Sequence, residues 1–239
     1  MNRIYFVGDT HGLHDANKLL LLKEREELDY LDYVIICGDA GIVWHQDLLD
    51  EFIDFYESIG ANILYVDGNH ENYDMLKKYP VTTFCGGKVQ KISEHIYHLM
   101  RGQVFTILGR KIFTLGGADS TDKATRVEHL SWWADEQITS EDIVESKENL
   151  KKHNNTVDYV VTHALPSSTL EEIVEVFTQC GEEVPYYLTR KLRPTPSSEY
   201  LDEIKKIVKF KCWYAGHLHI DEKVENLQVL YCDVERIKG

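Results

Sequence analysis

The stretch Ile4-Tyr5-Phe6-Val7-Gly8-Asp9-Thr10-His11-Gly12 runs four apolar, β-favouring residues into a glycine, a carboxylate and, two positions on, an imidazole. A buried strand that delivers polar groups at its carboxyl end has this form. Side chains along an extended backbone repeat every two residues, so Asp9 and His11 would share one side and make half of a metal site. A turn closed by an Asx-type hydrogen bond would use the same residues. The choice depends on whether other parts of the chain bring the missing ligands.

Leu13, Ala16, Leu19, Leu20 and Leu28, set against outward Lys23-Glu24-Arg25-Glu26-Glu27, predict a helix over 13–31 with those leucines inside. A strand, Tyr33-Val34-Ile35-Ile36-Cys37, ends in Gly38-Asp39-Ala40-Gly41. The following helix carries Leu48, Leu49, Phe52, Phe55, Tyr56 and Ile59 and stops at Gly60. A third strand, Asn62-Ile63-Leu64-Tyr65-Val66, ends in Asp67-Gly68-Asn69-His70-Glu71. Three βα units in succession, each with a polar cluster at the strand's end, predict parallel neighbours and a site along one sheet edge.

From about residue 84 the segments shorten. Gly86-Gly87, Arg101-Gly102 and Gly109-Arg110 punctuate runs over 103–108 and 111–115 that read as antiparallel hairpins. Residues 117–156 are polar and mixed, with a helical pattern from about 140 to 153. A strand over 157–161 ends in Thr162-His163-Ala164-Leu165-Pro166. Ser168 with Glu171 reads as a capping box for a helix bearing Leu170, Ile173, Val174 and Phe177, stopped by Gly181. After a Pro-containing loop at 185–197 comes a helix with Leu201, Ile204 and Val208. A strand over 210–215 ends in Gly216-His217-Leu218-His219, and one last strand is predicted over 227–234. With no repeat or linker, a single domain over 1–239 is expected, carrying an insertion at about 117–156 that lines the site.

The bulk composition narrows the functional classes. A hydrophobic fraction of 43% and a charged fraction of 28% belong to a folded globular chain. The net charge of −14 works against stable, sequence-independent nucleic-acid binding, which depends on Lys and Arg neutralising phosphates. A phosphate substrate stays open, because bound divalent cations invert the local field. Five scattered cysteines, none in a Cys-x-x-Cys pair, suit a reducing compartment better than a disulfide framework. No run approaches a membrane span, and the opening strand lacks the form of a secretory signal, so a cytoplasmic location and no membrane partner are expected.

Collected together, the strand ends carry Asp9 with His11, Asp39, Asn69 with His70, His163, and His217 with His219. Each cluster alone has a bland reading: Asp67-Gly68-Asn69 is a common turn, Asp39 could cap a helix, His163 could be a hydrogen-bonded core residue, and His217 and His219 could face solvent. Five such coincidences at equivalent topological positions are harder to accept than one metal site. Imidazole, carboxylate and amide donors together suit Mn, Fe or Zn better than Ca or an all-oxygen Mg site.

The order Asp-x-His, Gly-Asp, Gly-Asn-His-Glu, a single His, then Gly-His-x-His resembles the calcineurin-like metallophosphoesterase superfamily from Asp9 to His219. The resemblance implies a four-layer α/β/β/α sandwich of two mixed β-sheets, with these motifs on loops at one edge. It implies two divalent metal ions, one held by Asp9, His11, Asp39 and His219 and the other by Asp39, Asn69, His163 and His217, with Asp39 bridging. His70 would then face the substrate as acid or charge stabiliser, held by a neighbouring carboxylate. The implied reaction is hydrolysis of a small phosphodiester or nucleotide-like substrate by direct attack of a bridging hydroxide, with catalytic roles for Asp39 and His70. Phosphomonoester hydrolysis and a non-catalytic scaffold of the same fold are the alternatives.

The sequence departs from common members at Ile42, where many carry a second Asp, and at Ala164-Leu165, where many carry proline after the single His. Ser/Thr protein phosphatases share the Gly-Asp-x-His-Gly and Gly-Asn-His-Glu motifs but place arginines after the bridging Asp and before the second motif. Here those places read Gly41-Ile42-Val43-Trp44 and Val66-Asp67. Without a guanidinium fork to clamp a monoester, that assignment weakens.

Residues 116–126, with Trp132-Trp133 and Glu136, resemble a variant of bacterial and phage members and would form a wall beside the metals. Arg126, with Asn69 and His70, is the expected substrate contact; an ion pair to Asp122 or Glu136 is its structural alternative. For the tryptophans, packing the insertion onto the sandwich competes with stacking on a base. Of the remaining histidines, His14, His95, His98, His129 and His153 read as surface or structural, and His45 could line the pocket. Glu71 reads equally as a support for a ligand or as a cap of the next helix.

Overall fold

Alternate residues of β1 (Ile4–Val7) enter two different apolar cores: Tyr5 and Val7 join one, Ile4 and Phe6 the other. That alternation, forced by the strand's two-residue period, is why the run contains no polar residue. The computed structural model describes residues 2–237.

The first sheet holds β13-β1-β2-β3-β6-β5-β4. Its members are β2 (Tyr33–Ile36), β3 (Asn62–Tyr65), β4 (Val81–Phe84), β5 (Gly87–Lys91), β6 (Ile96–Leu99) and β13 (Val234–Ile237) around β1. β1, β2, β3 and β6 run parallel, so the carboxyl ends of the first three lie level, with Val7 beside Ile36 and Ile36 beside Tyr65. The second sheet holds β11-β12-β10-β9-β8-β7. These are β7 (Gln103–Ile107), β8 (Arg110–Leu115), β9 (Tyr159–Thr162), β10 (Cys212–Ala215), β11 (Glu222–Val224) and β12 (Leu227–Val229), with β8, β9 and β10 parallel.

Three apolar layers separate four structural ones. Helices α1 (Asn17–Arg25) and α2 (Leu49–Ser58) cover the outer face of the first sheet, where Leu19, Leu22 and Tyr56 meet Tyr5, Val7, Val34 and Ile36. Between the sheets, Phe6, Ile35 and Leu64 face Phe105, Ile112, Val161 and Tyr214. Phe6 stacks on Tyr214 with ring centroids 4.1 Å apart. Helices α4 (Ser140–Lys152), α5 (Ser167–Gln179) and α7 (Pro196–Lys205) cover the second sheet, bringing Ile143, Leu170 and Leu201 onto Phe113, Val160 and Trp213. Two further single turns are α3 (Tyr73–Leu76) and α6 (Leu188–Lys191). The result is the expected α/β/β/α sandwich of two mixed sheets. Each fully buried aromatic or aliphatic side chain in these layers is worth roughly 1.5–3 kcal/mol of transfer free energy.

Several local expectations differ. The first helix begins at Asn17 instead of residue 13, and the shifted phase exposes Leu20 and buries Leu22. Ser168 does not cap α5: its N–H and hydroxyl donate to Asp202, tying α5 to α7. The capping boxes fall at Thr139 with Asp142 and at Thr195 with Ser198. The last predicted strand is two: β12 pairs with β10 in the second sheet and β13 with β1 in the first, so the chain crosses between sheets at 230–233.

After β8 the chain runs through irregular backbone with two 3-10 turns, Lys123–Thr125 and Ala134–Glu136, before α4. Trp133 is buried edge-on against Trp44, centroids 5.4 Å apart, and its Nε1 donates to Asp74 Oδ2 at 2.8 Å. Trp132 is buried beneath Lys123, whose Nζ lies 3.9 Å from the ring centroid. Packing is thus the role both tryptophans have in the fold. Arg101 ties the segment to the end of β3, donating to Asp67 Oδ2 and to the carbonyls of Asp135, Glu136 and Gln137 at 2.7–3.1 Å. Burial alone would push the Asp67 carboxyl up, but Arg101 and His98 hold it well below the ordinary range. Among the described residues no helix is long and apolar enough to cross a membrane, and the five cysteines are free.

Candidate active site

The level carboxyl ends of β1, β2 and β3 deliver Asp9, Asp39 and Asn69 to one edge, and the ends of β9 and β10 bring His163, His217 and His219 from the opposite sheet. All the predicted ligands converge there. Turning from strand to loop in so little space puts His11, Asp39, His217 and His219 at positive φ, between 43° and 70°. Left-handed backbone at four non-glycine residues is costly, and such residues cluster where a site demands them.

Asp39 is at the centre. Its Oδ2 lies 3.3 Å from His11 Nε2 and its Oδ1 lies 3.2 Å from His163 Nε2. Its Oδ1 also accepts the His70 backbone N–H at 2.7 Å. On one side, His219 Nε2 lies 3.0 Å from Asp9 Oδ2, yet both atoms are buried without a hydrogen bond. On the other, His163 Nε2 faces Asn69 Oδ1 and His217 Nδ1, each at 3.2 Å. Donor atoms of Asp9, His11 and His219, and of Asp9, Asp39 and His163, lie within 4.8 Å of one another, as in a cation's coordination shell. Orphaned buried acceptors and mutually facing imidazoles fit a divalent ion better than they fit each other.

His163 and His11 are anchored through their second ring nitrogen. His163 Nδ1 donates to the Cys37 carbonyl at 2.9 Å, which leaves Nε2 to face Asp39. His11 Nδ1 meets Asp15 Oδ2 at 2.7 Å, and Asp15 Oδ1 accepts from the Tyr231 hydroxyl at 3.0 Å. The Tyr231 ring in turn stacks on His219, centroids 4.8 Å apart and nearly parallel.

Burial opposes charge throughout the cluster, but the charges answer one another. Against burial, Asp39 pulls the His11 and His163 pKa values up to about 9. Against burial, His163 holds the carboxyls of Asp9 and Asp39 well below their ordinary value. His217 goes the other way, pushed well down by burial, by His163 and by Lys191. Two buried carboxylates thus draw positive charge into a pocket whose ligands would shed protons on binding a cation.

His70 differs from expectation. Among the described residues no carboxylate hydrogen-bonds its ring; instead the Arg126 terminal nitrogens lie 3.4 Å from Nδ1 and 3.1 Å from Nε2. Arginine only donates, so at most one of these contacts can be a hydrogen bond, and only to a neutral imidazole. Burial first, then Arg126, lowers the His70 pKa, in keeping with that state. Its ring also falls within 4.8 Å of His11 and Asp39 donor atoms. Arg126 pairs with Asp122 as well, at 2.8 Å. The ion pair with Asp122 is thus present, and the guanidinium also stands at the cluster's edge beside His70.

Glu71 does not cap α3, whose N-terminus is capped by Asn72. Its Oε1 accepts from the N–H groups of Ala40 at 2.8 Å and Gly41 at 3.3 Å, holding the loop that carries Asp39. Burial and the nearby Asp39 raise its pKa well above the ordinary value. Sequence reasoning passed over Lys18 and Lys191. Both sit on helices as ordinary charged positions, yet Lys18 Nζ donates to the Asp9 carbonyl at 2.6 Å and Lys191 Nζ to that of His217. Asp15, four residues from His11, did have a readable signal. His14 and His45 line a cavity beside the cluster, whereas His98 is buried against Asp67 at 3.2 Å.

A family model described as calcineurin-like phosphoesterase matches residues 2–221. No individual curated protein matches the chain significantly.

Proposed function

The chain belongs to the calcineurin-like phosphoesterase family, and from that premise we propose a metal-dependent hydrolase of small phosphodiesters or nucleotide-like esters working with two divalent ions. The observation that carries the reading is the position of Asp39, one carboxylate oxygen toward His11 and the other toward His163. In this reading Asp9, His11, Asp39 and His219 hold one ion, and Asp39, Asn69, His163 and His217 hold the other. Bound there, Mn, Fe or Zn would make a water acidic enough to attack phosphorus near neutral pH and would neutralise phosphate charge.

The chain's own residues do the rest. Asp39 sets the spacing of the two halves, and Glu71 fixes the loop that carries it. His70, neutral beside Arg126, donates a hydrogen bond to the departing oxygen as charge develops there. Asn69 and Arg126 hold phosphate oxygens, the guanidinium exchanging part of its contact with Asp122 for the substrate. Phosphomonoester hydrolysis is the second reading, favoured by Arg126, which places at this edge a guanidinium that the protein-phosphatase positions lack.

Rates with Mn on bis-p-nitrophenyl phosphate and p-nitrophenyl phosphate separate the two. A higher kcat/KM on the diester is expected; strong preference for the monoester reverses the order. A chain that takes up no divalent ion under any condition is a scaffold instead. Arg126→Ala should raise KM, and unchanged kcat/KM on every active substrate removes Arg126 from the site.

A further inference from the structure

Next to the candidate ligands lies a cavity of about 520 Å³. Its polar wall includes His11, His70 and His219; its apolar wall includes Trp44, Leu48 and Phe52. That volume lies within the range of small-molecule sites, about 300–1,000 Å³. A site that only had to bind phosphate would have no use for an apolar wall.

Trp44 is fixed in place. Its ring meets Trp133 edge-on at 5.4 Å, its carbonyl accepts from Asn72 Nδ2 at 2.9 Å, and its ring centroid lies 6.1 Å from that of His70. It is nonetheless only half-buried, and Leu48 is 38% exposed. The fold therefore holds a rigid indole and two apolar side chains open in a cavity that three imidazoles of the candidate centre also line. An ester whose phosphorus sits at those imidazoles has its organic substituent next to this surface.

We propose that the cavity receives a planar aromatic ring of the substrate, either an aryl group borne directly on the phosphate or a nucleobase. The proposal rests on the phosphoesterase reading and narrows its substrate class. It moves base stacking from Trp132 and Trp133, which are spent on packing, to Trp44. Indole and ring would stack or meet edge to face while Leu48 and Phe52 exclude water from the ring's edges.

Ligand-observed NMR on the full chain, with and without Mn-free Zn loading, tests this using phenyl phosphate, adenosine 5′-monophosphate and glycerol phosphate. Saturation should pass to the ring protons of both aromatic esters, and Trp44→Ala should weaken their binding about tenfold while glycerol phosphate changes less than about twofold. Leu48→Asn, at an exposed position that cannot disturb the core, should weaken the aromatic esters about threefold. Tighter binding of the adenosine ester assigns the ring as a nucleobase; tighter binding of phenyl phosphate assigns it as an aryl group. Equal affinity for all three ligands in the unaltered chain, or aromatic affinity unmoved by both variants, overturns the proposal. An inactive chain that keeps the aromatic preference would instead sink the hydrolase reading and leave the cavity's role standing.

Discussion

His163 reaches across the gap between the sheets to place Nε2 3.2 Å from Oδ1 of Asp39. One residue follows β9 of the second sheet and the other follows β2 of the first, so the sandwich must close before the contact exists. A residue shared in this way should affect both halves of the site. On the proposed two-ion reading, Asp39→Asn is expected to lower the content of both ions, whereas His11→Ala should deplete mainly one. Elemental analysis of the purified variants checks this, and equal losses in the two would contradict the division.

The contact between Arg126 and His70 predicts a dependence on the leaving group. If neutral His70 stabilises charge on the departing oxygen, His70→Ala should lower kcat by about 10²–10⁴ on an alkyl ester, the usual range for such assistance. The loss should be smaller for p-nitrophenolate, which needs little help to leave. Identical losses across a leaving-group series would remove His70 from that step.

At Gly216 the backbone passes close against the Asp9 carboxylate. A Cβ added there would come within 2.2 Å of Asp9 Oδ1 and 2.7 Å of the Cys37 carbonyl. Gly216→Ala must therefore displace Asp9, which now accepts the His217 N–H at 2.9 Å. Metal affinity should fall by at least about tenfold, as it does when a supporting contact of a ligand is lost. Isothermal titration with Zn, alongside circular dichroism to confirm the fold, provides the reading; unchanged affinity would show that Asp9 is not a ligand.

At the other end of the first sheet, Asp32 accepts from Arg3 through its backbone N–H at 2.8 Å and its Nε at 3.0 Å. Burial pushes this carboxyl up, but the Arg3 contacts outweigh it and hold the folded-state pKa below the ordinary value. The ionised pair therefore contributes stability above the unfolded value of about 3.9 and loses it as pH falls through the folded value. Asp32→Asn should cost about 1–3 kcal/mol at neutral pH. Urea unfolding of both chains should show that gap shrinking below pH 4. A gap independent of pH would rule out the ionised pair as its source.

Arg101 offers a sharper stability test. Arg101→Met would strip the guanidinium from the fully buried Asp67 carboxylate, leaving it only the Tyr73 hydroxyl and His98, and would take a donor from the carbonyls of Asp135, Glu136 and Gln137. Removing one partner of a buried pair costs about 3–5 kcal/mol. Thermal unfolding should register the loss, and proteolysis should open first within 119–138. A variant as stable as the parent would show that Tyr73 and His98 suffice to hold the Asp67 carboxylate.

Much of the fold was legible because its strands are buried on both faces. Runs such as Tyr33 to Cys37 and Asn62 to Val66 have no solvent side, so their apolar continuity marks them without a tertiary context. The candidate ligands were legible for a related reason: each stands just past the end of such a run, where a polar residue is conspicuous. Boundaries set by partners were not. Ser168 had the spacing of a cap, but Asp202 from another helix captured its hydroxyl. The run from Leu227 to Val234 reads as one strand, yet its halves found open edges in different sheets.

What the sequence by itself determined is local: which segments are apolar, with what period, and which donor types follow them. Only the tertiary structure decided that Arg126 faces His70, that Trp133 packs while Trp44 lines a cavity, and that Lys18 and Lys191 brace the loops of Asp9 and His217. Arg126 and His70 stand 56 positions apart, Trp44 and Trp133 89, and Lys191 and His217 26; even Lys18 and Asp9, nine apart, sit in α1 and in the loop after β1. Periodicity carries no information at that range, because the contacts are set by how two sheets stack and not by the backbone that leads to each side chain.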